Sequence, residues 1–296
     1  MYGVAPPERL GEFRLADGRV LGWSEWGPPT GRPVLLCPGA ATSRRLGFGS
    51  DHVHELGVRL IGLDRPGLGV SSPAPGRTVG RTVGRTVGRA LSDFAGDVEQ
   101  FVEARCGEAP VVVGFSQGAP FALACAVAGL PSALYLVSAA DEVARWHAAG
   151  ALDGHLATLV DLCARDPDAA YERFLAFDAD AVHRMVLAGS PARDAAVYAE
   201  PVFDAAYRTA LAEGFAQGPH GYATDTLAAM RPWRLDLDRV SCAVELWYGD
   251  EDTGHSPDNG CTLADRIPGA VRRVLPGEAG SVLWTCGEAL LRRIVT

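Results

Sequence analysis

Ser116 stands between two glycines in Gly114-Phe115-Ser116-Gln117-Gly118, directly after the β-branched run Val111-Val112-Val113. A serine on a turn that joins a strand to a helix with no intervening loop has its hydroxyl lifted clear of the backbone, where it can attack a carbonyl carbon. The flanking glycines remove the Cβ atoms that so tight a turn would bring into collision. This is the pattern of a nucleophile elbow. It also sets the backbone N–H of Gln117 at the positive end of the following helix, beside the oxygen of any bound carbonyl. A capping serine at a glycine-rich helix start has the same bare pattern. The valine run favours the elbow, because three consecutive valines fit a strand covered on both faces.

Strands and helices in alternation surround this turn. Residues 12–15 and 20–26 predict an antiparallel hairpin about Ala16-Asp17-Gly18, and 34–37, 59–63, 133–137, 244–248 and 271–275 read as further strands. Helices are predicted over 91–105, 117–128, 261–267 and 284–295. Strand 34–37 runs into Pro38-Gly39-Ala40-Ala41-Thr42-Ser43. Its backbone N–H groups fall at the carboxyl end of the strand, the edge where ligands bind in open α/β sheets. Residues 141–238 break the alternation with alanine-rich, acidic, helical segments and no strand, which reads as an inserted helical cap. Its Trp146, Phe174, Phe177, Met185, Phe203, Tyr207, Phe215 and Tyr222 either line an apolar cavity above Ser116 or form the insert's own core. The expected architecture is α/β, a mostly parallel sheet with helices on both faces. Residues 1–140 and 239–296 form the core, and 141–238 the cap.

Composition removes several classes of function. The 296 residues carry a net charge of −9, whereas a nucleic-acid partner needs a cationic footprint. All basic residues are arginine, so Schiff-base chemistry on a lysine and a Walker-type phosphate loop are both excluded. The seven cysteines are odd in number, widely spaced and free of C-x-x-C, which suggests neither a disulfide framework nor a zinc site. With no H-E-x-x-H and no G-x-G-x-x-G on the first strand, no metal or organic cofactor is expected. No apolar stretch is long enough to span a membrane, and the N-terminus lacks the apolar core of a signal peptide. A soluble cytoplasmic chain, monomer or homodimer, is expected, with a small-molecule substrate and no membrane partner. The short tandem repeat 76–89, with Arg77, Arg81, Arg85 and Arg89, reads as an expanded loop or as a cationic rim for an anionic substrate or partner.

The chain resembles the α/β-hydrolase superfamily over nearly its full length, especially the lidded branch with esterases, epoxide hydrolases and proline iminopeptidases. The elbow, the turn Asp64-Arg65-Pro66-Gly67-Leu68-Gly69, Gly249-Asp250-Glu251-Asp252 and the late Leu275-Pro276-Gly277-Glu278 occur in the family's order. The resemblance implies Ser116 as nucleophile and Asp252 as the acid that orients a base, with Asp141 a second choice. It implies Ala40 and Gln117 as the oxyanion N–H groups. It further implies a histidine just after the last strand, but here the chain reads Pro276-Gly277-Glu278-Ala279-Gly280-Ser281, and no histidine occurs from 271 to 296. Gly280 takes the position of the missing base. Pro38-Gly39 likewise replaces the family's usual His-Gly in the oxyanion loop. His255, three residues past Asp252, is the first alternative base, ahead of His147, His155, His183 and His220 in the insert. Each of these also reads as a surface or capping histidine, and Cys37 reads as strand core.

Loss of the histidine from a serine hydrolase costs roughly a millionfold in turnover, so the whereabouts of a base decides the function. Three readings follow. One is a hydrolase of small, largely apolar esters, thioesters or lactones with a relocated base. Another is a non-hydrolytic enzyme, a cyclase, lyase or decarboxylase of natural-product metabolism, that reuses the oxyanion pocket. The third is a catalytically inactive small-molecule-binding protein.

Overall fold

In the computed structural model, which describes residues 2–74, 90–152 and 154–296, eight strands form one sheet. They are β1 (Arg9–Arg14), β2 (Val20–Trp26), β3 (Arg32–Cys37), β4 (Val58–Leu63), β5 (Val111–Phe115), β6 (Ala133–Val137), β7 (Ala243–Gly249) and β8 (Val271–Leu275). Their spatial order is β1-β2-β4-β3-β5-β6-β7-β8. β2 pairs antiparallel with both β1 and β4, and every later pairing is parallel. The first strand begins earlier than its apolar pattern suggests. Arg9 pairs opposite Glu25 and also donates to its carboxylate at 3.0 Å, which extends the ladder past the apolar residues.

The helices among the described residues are α1 (Ala90–Arg105), α2 (Ala119–Val127), α3 (Val143–Ala148), α4 (Gly154–Arg165), α5 (Pro167–Leu175), α6 (Ala179–Gly189), α7 (Ala192–Tyr198), α8 (Pro201–Gly214), α9 (His220–Met230), α10 (Cys261–Asp265), α11 (Val282–Thr285) and α12 (Gly287–Val295). Helices α3 to α9 run between β6 and β7 with no strand among them. The predicted closing helix over 284–295 is two helices, interrupted at Cys286, where φ −114° and ψ 19° leave the helical region. The tandem repeat over 76–89 lies outside the described residues. No helix among the described residues is long and apolar enough to cross a membrane.

Side-chain alternation along β5 sorts the two layers. Val112 faces a core shared with Phe94 and Phe101 of α1 and Phe121 of α2. Val111, Val113 and Phe115 face the opposite core, with Leu283 and Trp284 of α11 and Tyr198, Phe203 and Tyr207 of α7 and α8. Because β3, β5, β6, β7 and β8 are parallel, the segments that follow them all emerge at one edge of the sheet.

One buried cation ties that edge to the inserted helices. Asp64, after β4, accepts the backbone N–H of Arg44 at 2.7 Å and of Val70 at 3.1 Å, and also the Arg44 guanidinium. Its neighbour Arg65 is fully buried. Arg65 Nε donates to Asp225 Oδ2 of α9 at 2.7 Å, and its two η nitrogens donate to the carbonyls of Pro38 at 2.5 Å and Gly39 at 2.9 Å. A planar guanidinium fixes three acceptors at set angles, which a lysine could not do. Removing Asp225 strands a buried charge, so Asp225→Ala is expected to lower stability by about 3–5 kcal/mol in chemical denaturation. Asp225→Asn, which keeps an acceptor toward Arg65, is expected to cost less.

Candidate active site

β5 runs directly into the turn Ser116–Gly118 and then into α2. Ser116 has φ +49°, a left-handed conformation that an L residue keeps only when its surroundings enforce it. Here its N–H donates to Ser138 O at 3.1 Å and its own carbonyl accepts the N–H of Ala140 at 3.0 Å. The two glycines of the motif are needed for close approach. A Cβ at Gly118 would lie 2.0 Å from Cys37 O, and one at Gly114 would lie 2.7 Å from the Ala122 methyl.

The loop after β3 faces this turn. Ala41 is also left-handed, at φ +57°, and the Pro38 and Gly39 carbonyls are held by Arg65. Gly39, Thr42 and Ser116 line a common cavity, with Ala40 and Gln117 adjoining them along the chain. The Gln117 side chain is anchored on α9, its amide donating to Thr226 Oγ1 at 3.1 Å. Cys37 is buried at the end of β3, in the core.

Asp252 and His255 lie on the segment that leaves β7. The Asp252 carboxylate is buried and accepts the N–H of Gly254 at 3.1 Å and of His255 at 3.3 Å. His255 Nδ1 lies 3.0 Å from both Asp252 oxygens. A carboxylate only accepts, so Nδ1 carries the hydrogen of this pair and the lone pair of the neutral ring sits on Nε2. Burial works to raise the Asp252 carboxyl, yet His255 and the two N–H groups hold it below the usual range. Burial likewise works to lower the imidazole, and the facing Asp252 carboxylate outweighs it, raising His255 above the ordinary 6.5. Asp141 has a different task. Its N–H donates to His255 O at 3.1 Å and its Oδ2 accepts the Ser256 hydroxyl at 3.1 Å, so it braces the loop, while Asp252 holds the ring.

The segments after β7 and β8 run side by side. Asp250 N–H donates to Leu275 O at 3.1 Å and Glu251 N–H to Glu278 O at 2.9 Å. That pairing brings Gly280 against the imidazole: a Cβ on Gly280 would lie 2.8 Å from His255 Cε1 and 2.9 Å from Nδ1. His255 therefore fills the space in which a side chain at position 280 would begin. The other candidate histidines are elsewhere. His183 pairs with Asp204 at 2.7 Å, His220 with the Tyr171 hydroxyl at 3.0 Å and His147 with Asp161 at 3.6 Å, and none of these, nor His155, lines the cavity.

Ser116, Asp252 and His255 all line this one cavity, of about 190 Å³. Of the insert residues read either as cavity lining or as the insert's own core, Met185 and Tyr207 line it, with Tyr198, Leu283 and Trp284. Phe174, Phe203 and Tyr222 instead are buried in the core, and Phe177 and Phe215 pack on Tyr222. Among the described residues, the lining holds two carboxylates, Asp194 and Asp252, together with the His255 imidazole, and no arginine. Asp194 and Tyr198 belong to α7, and no motif in the sequence marks them. Arg65 was visible only as part of a turn; its grip on the loop after β3 depends on Asp225, 160 positions away.

A family model described as the alpha/beta hydrolase family matches residues 34–289. No curated protein matches the chain significantly. Among solved structures, a hydrolase from Pseudomonas aeruginosa is similar at 20% identity and a TM-score of 0.69, with 97% of each chain covered. An esterase from a Rhodococcus species has 19% identity and a TM-score of 0.65, covering 97% of this chain and 98% of its own. The enol-lactonase from Burkholderia xenovorans has 17% identity and a TM-score of 0.65, covering 96% and 98%. These likenesses concern the fold, and together with the family match over most of its length they lead to one conclusion: the chain belongs to the α/β-hydrolase family.

Proposed function

We propose that this protein is a serine hydrolase of small neutral esters or lactones whose general base, His255, comes from the same loop as its acid. The observation that carries this reading is the Asp252 carboxylate 3.0 Å from His255 Nδ1, in a cavity shared with Ser116. Ser116 Oγ attacks the substrate carbonyl while His255 Nε2 takes its proton. Asp252 stabilises the imidazolium that forms, and the Ala40 and Gln117 N–H groups receive the oxyanion. His255 then gives the proton to the leaving alkoxide. A water molecule, deprotonated by the same ring, opens the acyl-enzyme and regenerates Ser116. The helices between β6 and β7 act as a cap that closes the cavity over the reacting carbonyl.

The cavity points to the substrate class. Its volume of about 190 Å³ lies below the roughly 300 Å³ at which drug-sized pockets begin, so a short acyl group fits. Two carboxylates and no arginine in the lining disfavour an anionic acyl chain. The esterase and lactonase names among the structural neighbours agree with this chemistry.

Steady-state hydrolysis of p-nitrophenyl acetate tests the assignment. Ser116→Ala and His255→Ala are each expected to lose on the order of 10⁴-fold or more in kcat/KM with the fold intact. Full activity in His255→Ala would reject the base. Full activity in Ser116→Ala would reject the nucleophile.

Gly280 offers a second test. Its backbone is not left-handed, so Gly280→Ala is not opposed by φ, and its cost arises from the methyl pressing on the imidazole and on the Asp194 carboxylate beside it. The variant is expected to keep its fold by circular dichroism and to lose about tenfold or more in kcat, since small displacements of a catalytic group are expensive.

A further inference from the structure

Position 280 is enclosed by a second group besides the imidazole. A Cβ there would lie 3.0 Å from Asp194 Oδ2, so the carboxylate of α7 and the edge of His255 share the space beside this glycine. Asp194 is 4% exposed and is not a surface charge that has drifted inward. Its Oδ2 accepts the Gly280 N–H at 2.9 Å and its Oδ1 accepts the Ser281 N–H at 2.8 Å. The preceding residue, Arg193, reaches the same loop with an ion pair to Glu278 at 2.5 Å. Two consecutive residues of α7 thus clasp the segment after β8. Two backbone donors on two separate oxygens satisfy the acceptor-only form of a carboxylate.

We propose that Asp194 is a positioning residue for His255: it fixes the Gly280–Ser281 backbone beside the imidazole and sets a second negative charge near the ring, in addition to Asp252. This rests on the reading of His255 as the base. The charges that act on His255 are Asp252 on its own loop and Asp194 on α7. Tyr198 of α7 and Tyr207 of α8 line the same cavity, Phe115 packs its ring near the imidazole, and Glu278 on the segment after β8 is paired with Arg193. Burial pushes both tyrosine hydroxyls well above their usual range, so they stay neutral. Burial also works against the imidazolium, and Asp194 adds to Asp252 in overcoming it. Both carboxylates favour the protonated ring, so removing either charge lowers the pH at which His255 becomes a free base. A helix from the segment between β6 and β7 thereby helps set the pH range in which the core site works.

The test follows the His255 imidazole by NMR in ¹³C-histidine-labelled protein, with His255→Ala to assign the signal. The pH profile of kcat/KM for p-nitrophenyl acetate is recorded beside it. In Asp194→Asn, which keeps one acceptor and loses the charge, the imidazole titration and the acid limb are expected to move together to lower pH. A fall of about tenfold in kcat is expected as the loop relaxes toward the ring. Arg193→Gln, which breaks the neighbouring clasp on the exposed side, is expected to leave the downward shift absent. If Asp194→Asn does not fold, Asp194→Thr gives the same reading with a smaller acceptor. An imidazole titration unchanged by loss of Asp194 would overturn the proposal. Because that signal does not depend on turnover, it stands apart from any failure of the hydrolase reading, which would appear as absent Ser116-dependent hydrolysis.

Discussion

The absence of a side chain at Gly280 is the constraint on which the rest of the site depends. The segments after β7 and β8 are joined by backbone hydrogen bonds from Asp250 and Glu251, so whatever stands at position 280 competes for the volume that His255 occupies. Glycine resolves the competition in favour of the imidazole. With that space free, a histidine only three residues beyond Asp252 can turn its Nδ1 onto the carboxylate that precedes it. The acid and the ring then form a local unit on one loop, in place of a pairing between two loops. Such a unit is less exposed to relative movement of β7 and β8.

The remaining parts serve to hold this arrangement against its own strain. Two residues at the site, Ser116 and Ala41, have left-handed backbones that isolated peptides would relax. Ser116 is clipped to the segment after β6, and the loop that contains Ala41 is held through the buried Arg65. Arg65 itself requires Asp225 of α9, and Gly280 requires Asp194 of α7. The inserted helices are thus bonded to both sides of the cavity, at the loop after β3 and at the loop after β8. Their role extends beyond covering apolar surface.

What could be read from the sequence follows the range of the interactions. The strand, turn and helix around Ser116 were legible because they are local: three valines, two glycines and a serine determine them within eight residues. The mostly parallel sheet was legible because strand and helix patterns alternate, and the run of helices between β6 and β7 because the alternation stops. His255 was visible as a residue near Asp252, but nothing in its neighbourhood distinguishes it from a capping histidine. Its orientation depends on Gly280, which is brought beside it by strand pairing and not by spacing along the chain. Asp194 and Tyr198 were beyond reach for the same reason, being ordinary residues of a short helix until α7 is placed. Of the aromatic residues in the insert, only the fold separates Tyr207, at the cavity, from Phe203, in the core beside it.

The most direct test of the relocated base is the rate at which a fluorophosphonate labels Ser116, followed by intact-protein mass spectrometry in the wild type and in His255→Ala. If the Asp252–His255 pair activates Ser116, one adduct forms quickly in the wild type and at a rate that rises with pH through the His255 titration. In His255→Ala it should form at least about a thousandfold more slowly. Equal labelling rates in the two proteins, or no labelling of the wild type, would contradict it.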